Sequence, residues 1–361
     1  MCLKVGFFRV KGFAEQCLRL AKRQLYFLSV LTKLEFTGAI ALKTIGIVTS
    51  GGDAPGMNAA IRAVTRIAHS KNLEVLGFER GWEGLLTNTF RRLNPRNVGG
   101  IIQLGGTILH TSRCPEFKTD EGLKKAAETL SSNCVDGLVV IGGDGSFRGA
   151  LELSRKTRTL MVGVPATIDN DIYGTDETIG FDTAVNTAVA EIDKIRDTAI
   201  SHERIFIVEV MGRQRGFLAV TVGITVGAEI ILIPEDKCKM DDVVTKIKEN
   251  ARRGKKSGIV VAAEGCGNVS DIAKEIEEKT GSEVRLSILG YAQRGGSPTA
   301  RSRLLASLFA EEAVNLFCQG QGNMMVGLQK GKITSFPLEK SCKKTKPLDL
   351  RLMNLAEMLA T

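Results

Sequence analysis

The sequence of 361 residues has few of the features that build disulfide scaffolds or metal centres. Its eight cysteines include no Cys-x-x-Cys pair, and its three histidines, His69, His110 and His202, lie far apart along the chain. This pattern argues against a disulfide framework and contains no zinc-ligand spacing. The longest apolar stretch of the first 43 residues, about residues 25–31, is far shorter than the roughly 20 residues of a membrane span. We therefore expect reduced thiols, a cytoplasmic location and no membrane partner.

The net charge of +9 is unevenly distributed. Residues 1–43 carry eight basic and two acidic side chains, a net charge of +6, whereas the rest of the chain carries only +3. A basic protein can bind nucleic acid, but here the main body is nearly balanced and aromatic residues make up only 5%. We therefore expect no nucleic-acid partner. We interpret residues 1–43 as an atypical N-terminal extension outside the fold, with a transit peptide or an interfacial helix as alternatives.

Short apolar runs alternate with helical patterns from Thr44 onward. Runs at residues 45–49 and 137–141 lead directly into glycine-rich loops. Five further runs are typical of buried strands: Leu160–Val164, Arg204–Val210, Glu229–Ile233, Gly258–Ala263 and Val284–Leu289. Such runs, alternating with helices, predict parallel sheets that are covered by helices on both faces. The length of the chain suggests two such α/β domains.

Two glycine-rich loops lie where open α/β sheets bind ligands, at the carboxyl ends of strands. They occupy residues 50–56 and 142–146. Glycine lets backbone N–H groups approach phosphate oxygens, and the next helix adds the partial positive charge of its N-terminus. Neither loop matches a P-loop or the dinucleotide fingerprint. An acidic residue, Asp144, in a phosphate-binding loop is explained if Mg²⁺ bridges it to the phosphate. The alternative for each loop alone is a tight structural turn.

A polar cluster, Thr167-Ile168-Asp169-Asn170-Asp171, follows the strand that ends at Val164. One of its carboxylates can serve as a base while the other helps to hold a metal, and a solvated Asx-rich turn is the alternative. Arginines beside strand ends or glycine loops suit the bidentate capture of phosphate. Five arginines have this placement: Arg113, Arg204, Arg213, Arg285 and Arg294.

Five segments, taken in this order, closely resemble the ATP-dependent 6-phosphofructokinases of the bacterial type. They are residues 49–58, 141–146, 167–171, 209–213 and 293–298. The resemblance extends from Thr44 to about Gly331. It implies the phosphofructokinase fold, with two Rossmann-like three-layer α/β/α domains and mostly parallel sheets. It also implies a glycolytic kinase that transfers the γ-phosphoryl group of ATP to the 1-hydroxyl of fructose 6-phosphate, forming fructose 1,6-bisphosphate.

The resemblance implies a role for each matching residue. Asp169 would be the base for the 1-hydroxyl, Thr167 would orient the transferred group, and Asp144 and Asp171 would hold the cofactor Mg²⁺. The implied catalytic residues are Asp169, Thr167, Arg213, Arg113 and Gly52. The implied ATP contacts are Gly52, Trp82, Arg113, Cys114, Gly143, Asp144, Gly145 and Ser146. The implied contacts of the sugar phosphate are Thr167, Asp169, Asp171, Arg204, Met211, Gly212, Arg213, Glu264, Arg285, Tyr291 and Arg294.

Assembly and regulation are also implied by the resemblance. Arg204 and Arg285 match arginines that the family supplies from a neighbouring subunit, so we expect a homotetramer with shared active sites. An effector site for ADP or phosphoenolpyruvate is expected at Arg62, Arg66, Arg196, Glu229, Lys255 and Lys256. Pro95 and Arg96 depart from the family pattern there, which predicts an altered ligand preference. The alternative interpretation is that these residues are ordinary charged residues of the surface that bind no effector.

Two small residues distinguish between phosphoryl donors. Ala166 stands where ATP-dependent members usually have glycine and pyrophosphate-dependent members lysine, and Gly145 stands where pyrophosphate users tend to have aspartate. Small side chains leave room for the nucleotide, so we expect ATP, with a pyrophosphate-dependent enzyme as the alternative. Tyr291 stands where well-known bacterial members have histidine. Either residue type can form a hydrogen bond, but only histidine titrates near neutrality.

The resemblance also predicts how the chain is divided. Residues 44–180 and 293–343 are expected to form the ATP-binding domain, and residues 181–292 the fructose-6-phosphate-binding domain. Residues 344–361 are expected to form a C-terminal tail.

Overall fold

The computed structural model describes residues 42–236 and 240–360. The predicted N-terminal extension, apart from its last two residues, lies outside these ranges. Within them, none of the helices combines the length and apolar character needed to cross a bilayer. The described cysteines are free thiols, as expected: Cys114, Cys134, Cys266, Cys318 and Cys342.

A large, mostly parallel sheet of eight strands contains both glycine-rich loops. Its strands are β1 (Thr44–Ser50), β2 (Glu74–Phe78), β3 (Phe90–Leu93), β4 (Gly137–Gly142), β5 (Leu160–Thr167), β6 (Ile179–Gly180), β11 (Met324–Gln329) and β12 (Lys332–Pro337). The order is β12-β11-β5-β4-β1-β2-β3, and the two-residue β6 pairs with β5. Only the edge strands β3 and β12 run antiparallel to their neighbours. The prediction of a mostly parallel sheet is therefore confirmed.

A second sheet of four parallel strands carries most of the arginine-rich segments. Its strands are β7 (Ile205–Val210), β8 (Ile230–Leu232), β9 (Gly258–Ala263) and β10 (Val284–Ile288), in the order β10-β7-β9-β8. These strands match four of the predicted runs to within one residue at each end. Ile207, Val208 and Val261 are completely buried because helices cover both faces of the sheet, which accounts for the continuous apolar runs in the sequence.

Eleven helices accompany the two sheets in the described part of the chain. They are α1 (Met57–Ser70), α2 (Trp82–Leu86), α3 (Asp120–Ser132), α4 (Asp144–Ser154), α5 (Phe181–Ser201), α6 (Phe217–Thr225), α7 (Met240–Arg252), α8 (Val269–Thr280), α9 (Ala300–Cys318), α10 (Leu338–Lys343) and α11 (Arg351–Leu359). Short 3-10 turns lie at Glu116–Lys118, Glu264–Cys266 and Gly290–Arg294.

Helix α5 connects the two sheets and packs against both α6 and α9. Its buried stripe includes Val185, Ala188 and Ile192, which follow a helical spacing. At its N-terminus the Asp182 carboxylate accepts a hydrogen bond of 2.5 Å from the Thr299 hydroxyl, and Thr299 is also the N-cap of α9. This contact fixes the loop that precedes α9, which contains Arg294.

The strand order places the two glycine-rich loops side by side. The chain passes from β1 to β2 on one side, and β4 then pairs with the other side of β1. Ser50, the last residue of β1, lies directly beside Gly142, the last residue of β4. The carboxyl ends at such a switch point form a crevice between the outgoing loops, which is where open α/β sheets bind ligands.

Candidate active site

The two loops at the switch point are joined by a buried hydrogen bond. The Ser146 hydroxyl donates to the Ser50 carbonyl over 2.8 Å. A Cβ atom on Gly142 would lie 2.4 Å from the same carbonyl oxygen, so only glycine fits there. Gly143 is the N-cap of α4, so the first free N–H groups of that helix point into the crevice. A Cβ atom on Gly145 would meet no heavy atom within 4 Å, which leaves open space above the loop.

Asp169 is a buried carboxylate next to this crevice. The residue is only 3% exposed, and its Oδ1 atom is buried without a hydrogen-bond partner among the described residues. Its Oδ2 atom lies 3.1 Å from Nε of Arg213. Burial and the nearby Asp171 raise the pKa of Asp169, Arg213 and Arg294 oppose the rise, and the resulting pKa is about 6. A carboxylate with a free oxygen and a pKa near the working pH is suited to accept a proton.

The backbone around Asp169 is fixed by two threonines. Thr167 ends β5, and its hydroxyl accepts a 3.3 Å hydrogen bond from the N–H of Asp169. The Thr167 carbonyl accepts a 2.6 Å hydrogen bond from the buried Thr178 hydroxyl. Asn170 has a positive φ of 52°, so the chain turns sharply between the two acids. Strand β5 and this turn therefore hold Asp169 in a defined place.

Asp171 and Asp144 bring two carboxylates to the same region. Burial raises the pKa of Asp171, and the negative charge of Asp144 adds to this rise. The described residues contain no group of three or more candidate metal ligands. Mg²⁺ is commonly bound by one or two carboxylates together with substrate phosphates. Two neighbouring acids, one of which is held at a raised pKa, therefore fit a divalent cation that arrives with a phosphate ligand.

The Met211–Gly216 loop brings Arg213 to Asp169 from the second sheet. Gly212 has φ 135°, and Arg213 has φ 54°, which is an unfavourable region for a side chain of this size. The N–H of Arg213 donates to Oε1 of Glu264 over 2.5 Å, and the N–H of Gly216 donates to Glu235 over 2.9 Å. These contacts hold the strained loop in place, and the Arg213 side chain is 62% exposed.

Arg294 approaches the crevice from the 3-10 turn Gly290–Arg294. A Cβ atom on Gly52 would lie 2.1 Å from Nη1 of Arg294, so this guanidinium lies directly against Gly52. Its Nε atom is buried without a partner in the described chain. Gln293 is completely buried, and its Oε1 atom accepts from the N–H of Met211 over 3.4 Å. The structure thus brings Gly52, Asp169, Arg213 and Arg294 together.

Arg204 and Arg285 form a separate cluster with Glu283. Nε of Arg204 lies 2.7 Å from Glu283, and Arg285 forms an ion pair with the same carboxylate. The cluster lies at the N-terminal ends of β7 and β10, whereas Arg213 and Arg294 follow the carboxyl ends of these strands. Within one chain, these two arginines therefore belong to a different edge of the small sheet from the Asp169 site.

Several other predicted residues are not in contact with Asp169. The Trp82 ring is 7% exposed and stacks on Phe117 with a centroid distance of 4.2 Å, so most of it serves the core. Arg113 is exposed and makes no hydrogen bond or ion pair within the described ranges, while the neighbouring Cys114 packs against the core. Tyr291 is 79% exposed, and its ring centroid lies 5.6 Å from the Arg294 guanidinium carbon.

The predicted effector residues are only partly brought together. The Glu229 carboxylate is 5% exposed as a residue and lies 2.8 Å from Nζ of Lys255 and 3.8 Å from Arg196. Glu229 and both Lys255 and Lys256 line a cavity of about 260 Å³. Lys256 instead pairs with Glu203 over 2.9 Å. Arg62 and Arg66 lie on α1 of the large sheet, and Arg66 donates to the Pro95 carbonyl.

Three polar residues with a part in this geometry were not singled out from the sequence. Gln293 ties the two arginine loops together, Thr178 holds the end of β5, and Glu235 fixes Gly216. Gln293 lies inside one of the five motif segments, so its position beside glycine residues could have identified it from the sequence. No sequence signal indicated Thr178 or Glu235, because their roles depend on contacts between distant segments.

Comparison with known proteins gives a consistent family. The sequence model described as phosphofructokinase matches residues 44–317. Two curated relatives are 50% identical: the ATP-dependent 6-phosphofructokinase of Lysinibacillus sphaericus over 319 residues and the ATP-dependent 6-phosphofructokinase 1 of Thermus thermophilus over 321 residues. Each alignment covers 88% of this chain and the whole of the relative.

Solved structures agree with the sequence relatives. Phosphofructokinase from Saccharomyces cerevisiae aligns with a TM-score of 0.77 and 34% identity over 88% of this chain, which spans 48% of the yeast chain. A pyrophosphate-dependent phosphofructokinase from Marinobacter aquaeolei has a TM-score of 0.76 at 21% identity over 86% of both chains, so it supports the fold alone. The curated relatives therefore favour the ATP-dependent prediction over its pyrophosphate alternative. With its two α/β sheets and a family match across most of its length, the chain belongs to the phosphofructokinase family, as its motifs predict.

Proposed function

We propose that this phosphofructokinase transfers the γ-phosphoryl group of ATP to the 1-hydroxyl of fructose 6-phosphate. The observation that carries this proposal is the Asp169–Arg213 pair. A buried carboxylate from the large sheet meets a guanidinium from the small sheet over 3.1 Å, directly beside the loops that suit a nucleotide. A proton acceptor and a phosphate-binding cation at one point are what transfer to a sugar hydroxyl requires.

Asp169 is the proposed base. Its carboxylate accepts the proton of the 1-hydroxyl as the sugar oxygen attacks phosphorus and the bond to the departing ADP breaks. Arg213 and Arg294 lie where negative charge accumulates on the transferred group, and Thr167 orients that group from the end of β5. Gly52 has no side chain, which lets the Arg294 guanidinium lie directly against the Gly52 loop. Catalysis then depends mainly on positioning and charge stabilisation.

Asp144 and Asp171 are the residues proposed to hold Mg²⁺. Their proximity and the raised pKa of Asp171 support this assignment. When bound with the nucleotide, Mg²⁺ supplies charge neutralisation between the phosphates. The N–H groups of residues 143–145 at the start of α4 are proposed to bind phosphate oxygens, and Ser146 holds this loop against Ser50. Arg113 and Cys114 are proposed to contact ATP farther along the crevice. Trp82 is proposed to contribute only the exposed edge of its ring.

On the sugar side, Met211, Gly212 and Glu264 shape the loop that presents Arg213. Tyr291 takes the place of a titratable histidine, and its exposed hydroxyl is available for hydrogen bonding. We further propose that residues 44–180 and 293–343 form the ATP-binding domain and residues 181–292 the sugar-phosphate domain. The sheet membership of the strands supports this division. We place the enzyme in the cytoplasm.

The choice of phosphoryl donor can be tested directly. Purified full-length protein should form fructose 1,6-bisphosphate with ATP, while the rate with pyrophosphate should stay below about 5% of that rate, because the open space at Gly145 suits a nucleotide. Gly145→Asp should lower kcat/KM for ATP at least about tenfold by filling that space and adding negative charge. Comparable rates with both donors would contradict the assignment.

We also propose a homotetramer in which Arg204 and Arg285 complete the active site of a neighbouring subunit. Their distance from the Asp169 site within one chain, and their ready-made cluster with Glu283, support this arrangement. An effector site for ADP or phosphoenolpyruvate is proposed at Glu229, Lys255 and Arg196, completed by Arg62 and Arg66 of another subunit, with Lys256 at its edge.

The proposed effector site predicts a measurable change in the kinetics of the enzyme. Addition of ADP or phosphoenolpyruvate should shift the fructose 6-phosphate concentration for half-maximal rate by at least about twofold. Light scattering should give the mass of four chains under the same conditions. Hyperbolic kinetics that neither ligand changes would remove the proposed effector site.

A further inference from the structure

Lys346 occupies an unusual place in the C-terminal segment between α10 and α11. Its Nζ atom donates to the backbone carbonyl of Asp176 over 3.1 Å and lies 5.0 Å from the centroid of the Phe217 ring. Asp176 belongs to the segment that follows Asp169 and Asp171. Phe217 is the first residue of α6, directly after the loop that carries Arg213. One ammonium group therefore contacts both segments that meet at the proposed active site.

The segment around Asp176 is firmly attached to the large sheet. The N–H of Asp176 donates to the Leu328 carbonyl over 2.7 Å, and its carboxylate accepts from the N–H of Lys330 over 2.6 Å. Tyr173 packs edge-on against Phe336, and Nζ of Lys344 lies 5.3 Å from the Tyr173 ring centroid. The segment that Lys346 contacts through Asp176 is thus held in place by β11, β12 and the turn between them.

Phe217, the second residue that Lys346 contacts, lies on a helix that packs against the small sheet. Phe217 is buried, and α11, which follows Lys346, packs against α6 and β8. The chain between α10 and α11 therefore crosses from one sheet to the other, and Lys346 is at this crossing. The Asp169–Arg213 ion pair crosses between the same two bodies.

The Lys346 side chain is partly buried, so its charge loses part of its hydration. Burial lowers the pKa of Lys346 to about 8, and the charges of Asp176, Asp171 and Glu177 only partly oppose this. A methionine of similar length would fill the same space without a desolvated charge. Packing alone therefore does not explain a lysine here, whereas an ammonium can hold a carbonyl and an aromatic face at one distance.

We propose that Lys346 is a positioning residue that holds the start of α6, and with it the Arg213 loop, at the working distance from the Asp169–Asp171 segment. This inference rests on the proposed roles of Asp169 and Arg213. Lys346 touches neither substrate nor the reacting atoms. It acts through Asp176 on one side and Phe217 on the other.

The expected kinetic result separates this role from a structural one. Lys346→Met should lower kcat at least about tenfold, while KM for ATP stays within about twofold, because the proposed nucleotide contacts all belong to the large sheet. Lys346→Arg, which keeps the charge, should recover at least about half of kcat. Lys343→Met is the matched control, because Lys343 pairs with Glu339 on the surface of α10 and should leave kcat unchanged.

A second measurement does not depend on the reaction. Amide hydrogen exchange in the ligand-free protein should become faster at residues 170–177 and 211–217 in Lys346→Met and should be unchanged in Lys343→Met. If Lys346→Met cannot be purified folded, Lys346→Gln replaces it in both measurements.

The proposal is overturned if kcat of the uncharged variant stays within about twofold of wild type, or if Lys346→Arg is as slow as Lys346→Met. Failure of the proposed function would look different. Wild type and Lys343→Met would then both lack turnover with ATP and fructose 6-phosphate, while the exchange measurement would still report on the Lys346 contact.

Discussion

Asp169→Asn should lower kcat by about a thousandfold, within the range that positioned general bases contribute. The amide cannot accept the proton of the sugar hydroxyl, although it occupies the same volume at the end of β5. Binding of fructose 6-phosphate, measured by calorimetry, should be nearly unchanged because Arg213 and Arg294 remain. Asp193→Asn is the control, since Asp193 is exposed on α5 away from the cleft. A variant with kcat within about tenfold of wild type would refute Asp169 as the base.

The same substitution should make the ligand-free protein more stable. The folded-state pKa of Asp169 is about 6 against an ordinary value of 3.8, so the folded state binds its proton more tightly than the unfolded state does. Stability from this group is therefore lost as the pH rises from 3.8 through 6, and near pH 7.5 removing the charge should add up to about 3 kcal/mol. Thermal unfolding in EDTA should show this gain, and it should shrink as the pH approaches about 4. A stable but inactive variant excludes misfolding as the cause of lost turnover.

Arg213→Met should lower kcat several hundredfold, somewhat less than the roughly 10³–10⁵-fold effect of arginines that stabilise phosphoryl transfer. The substitution removes a cation that lies 3.1 Å from Asp169 and the donors proposed for the transferred group. Arg213→Lys should be intermediate, because it keeps the charge but loses the planar fork.

The pH profile adds a second readout for Arg213. Since Arg213 lowers the pKa of Asp169, its removal should raise that pKa further. Turnover requires the deprotonated carboxylate, so the fall of kcat/KM on the acid side should begin at a higher pH in Arg213→Met than in wild type. A loss of kcat below about tenfold, or an unmoved acid limb, would contradict the proposed contact.

The position of the catalytic groups was predictable because parallel strands end at one edge of a sheet. The motif residues 142–146 and 167–171 follow β4 and β5, and these strands pair residue by residue, so proximity of the two loops followed from the strand predictions. The bounds of the other predicted strands were accurate to within one residue because continuous apolar runs are distinctive, whereas β5 continues beyond the predicted Val164 to Thr167. Five strands were missed: β2, β3, β6, β11 and β12. The edge strands β3 and β12 are short and half-exposed, so they lack such runs.

What could not be predicted depends on contacts between segments far apart in sequence. Nothing in the local sequence of Lys346 indicates that it reaches Asp176, which lies 170 positions earlier. The stacking of Trp82 on Phe117 is similarly set by how α2 and a 3-10 turn pack together. The placement of Arg204 and Arg285 away from Asp169 became interpretable only when their strand ends were located.

The late position of β11 and β12 in the chain has a consequence for biosynthesis. Domains generally fold as units during synthesis, and the four strands of the small sheet are complete by Ile288. The large sheet must wait for Met324 and Met325, which pair with Val162 and Gly163 of β5. Until then, one edge of β5 remains open to pairing with other chains. A chain that ends before Met324 therefore has all four strands of the small sheet but an unpaired β5 edge on the large one.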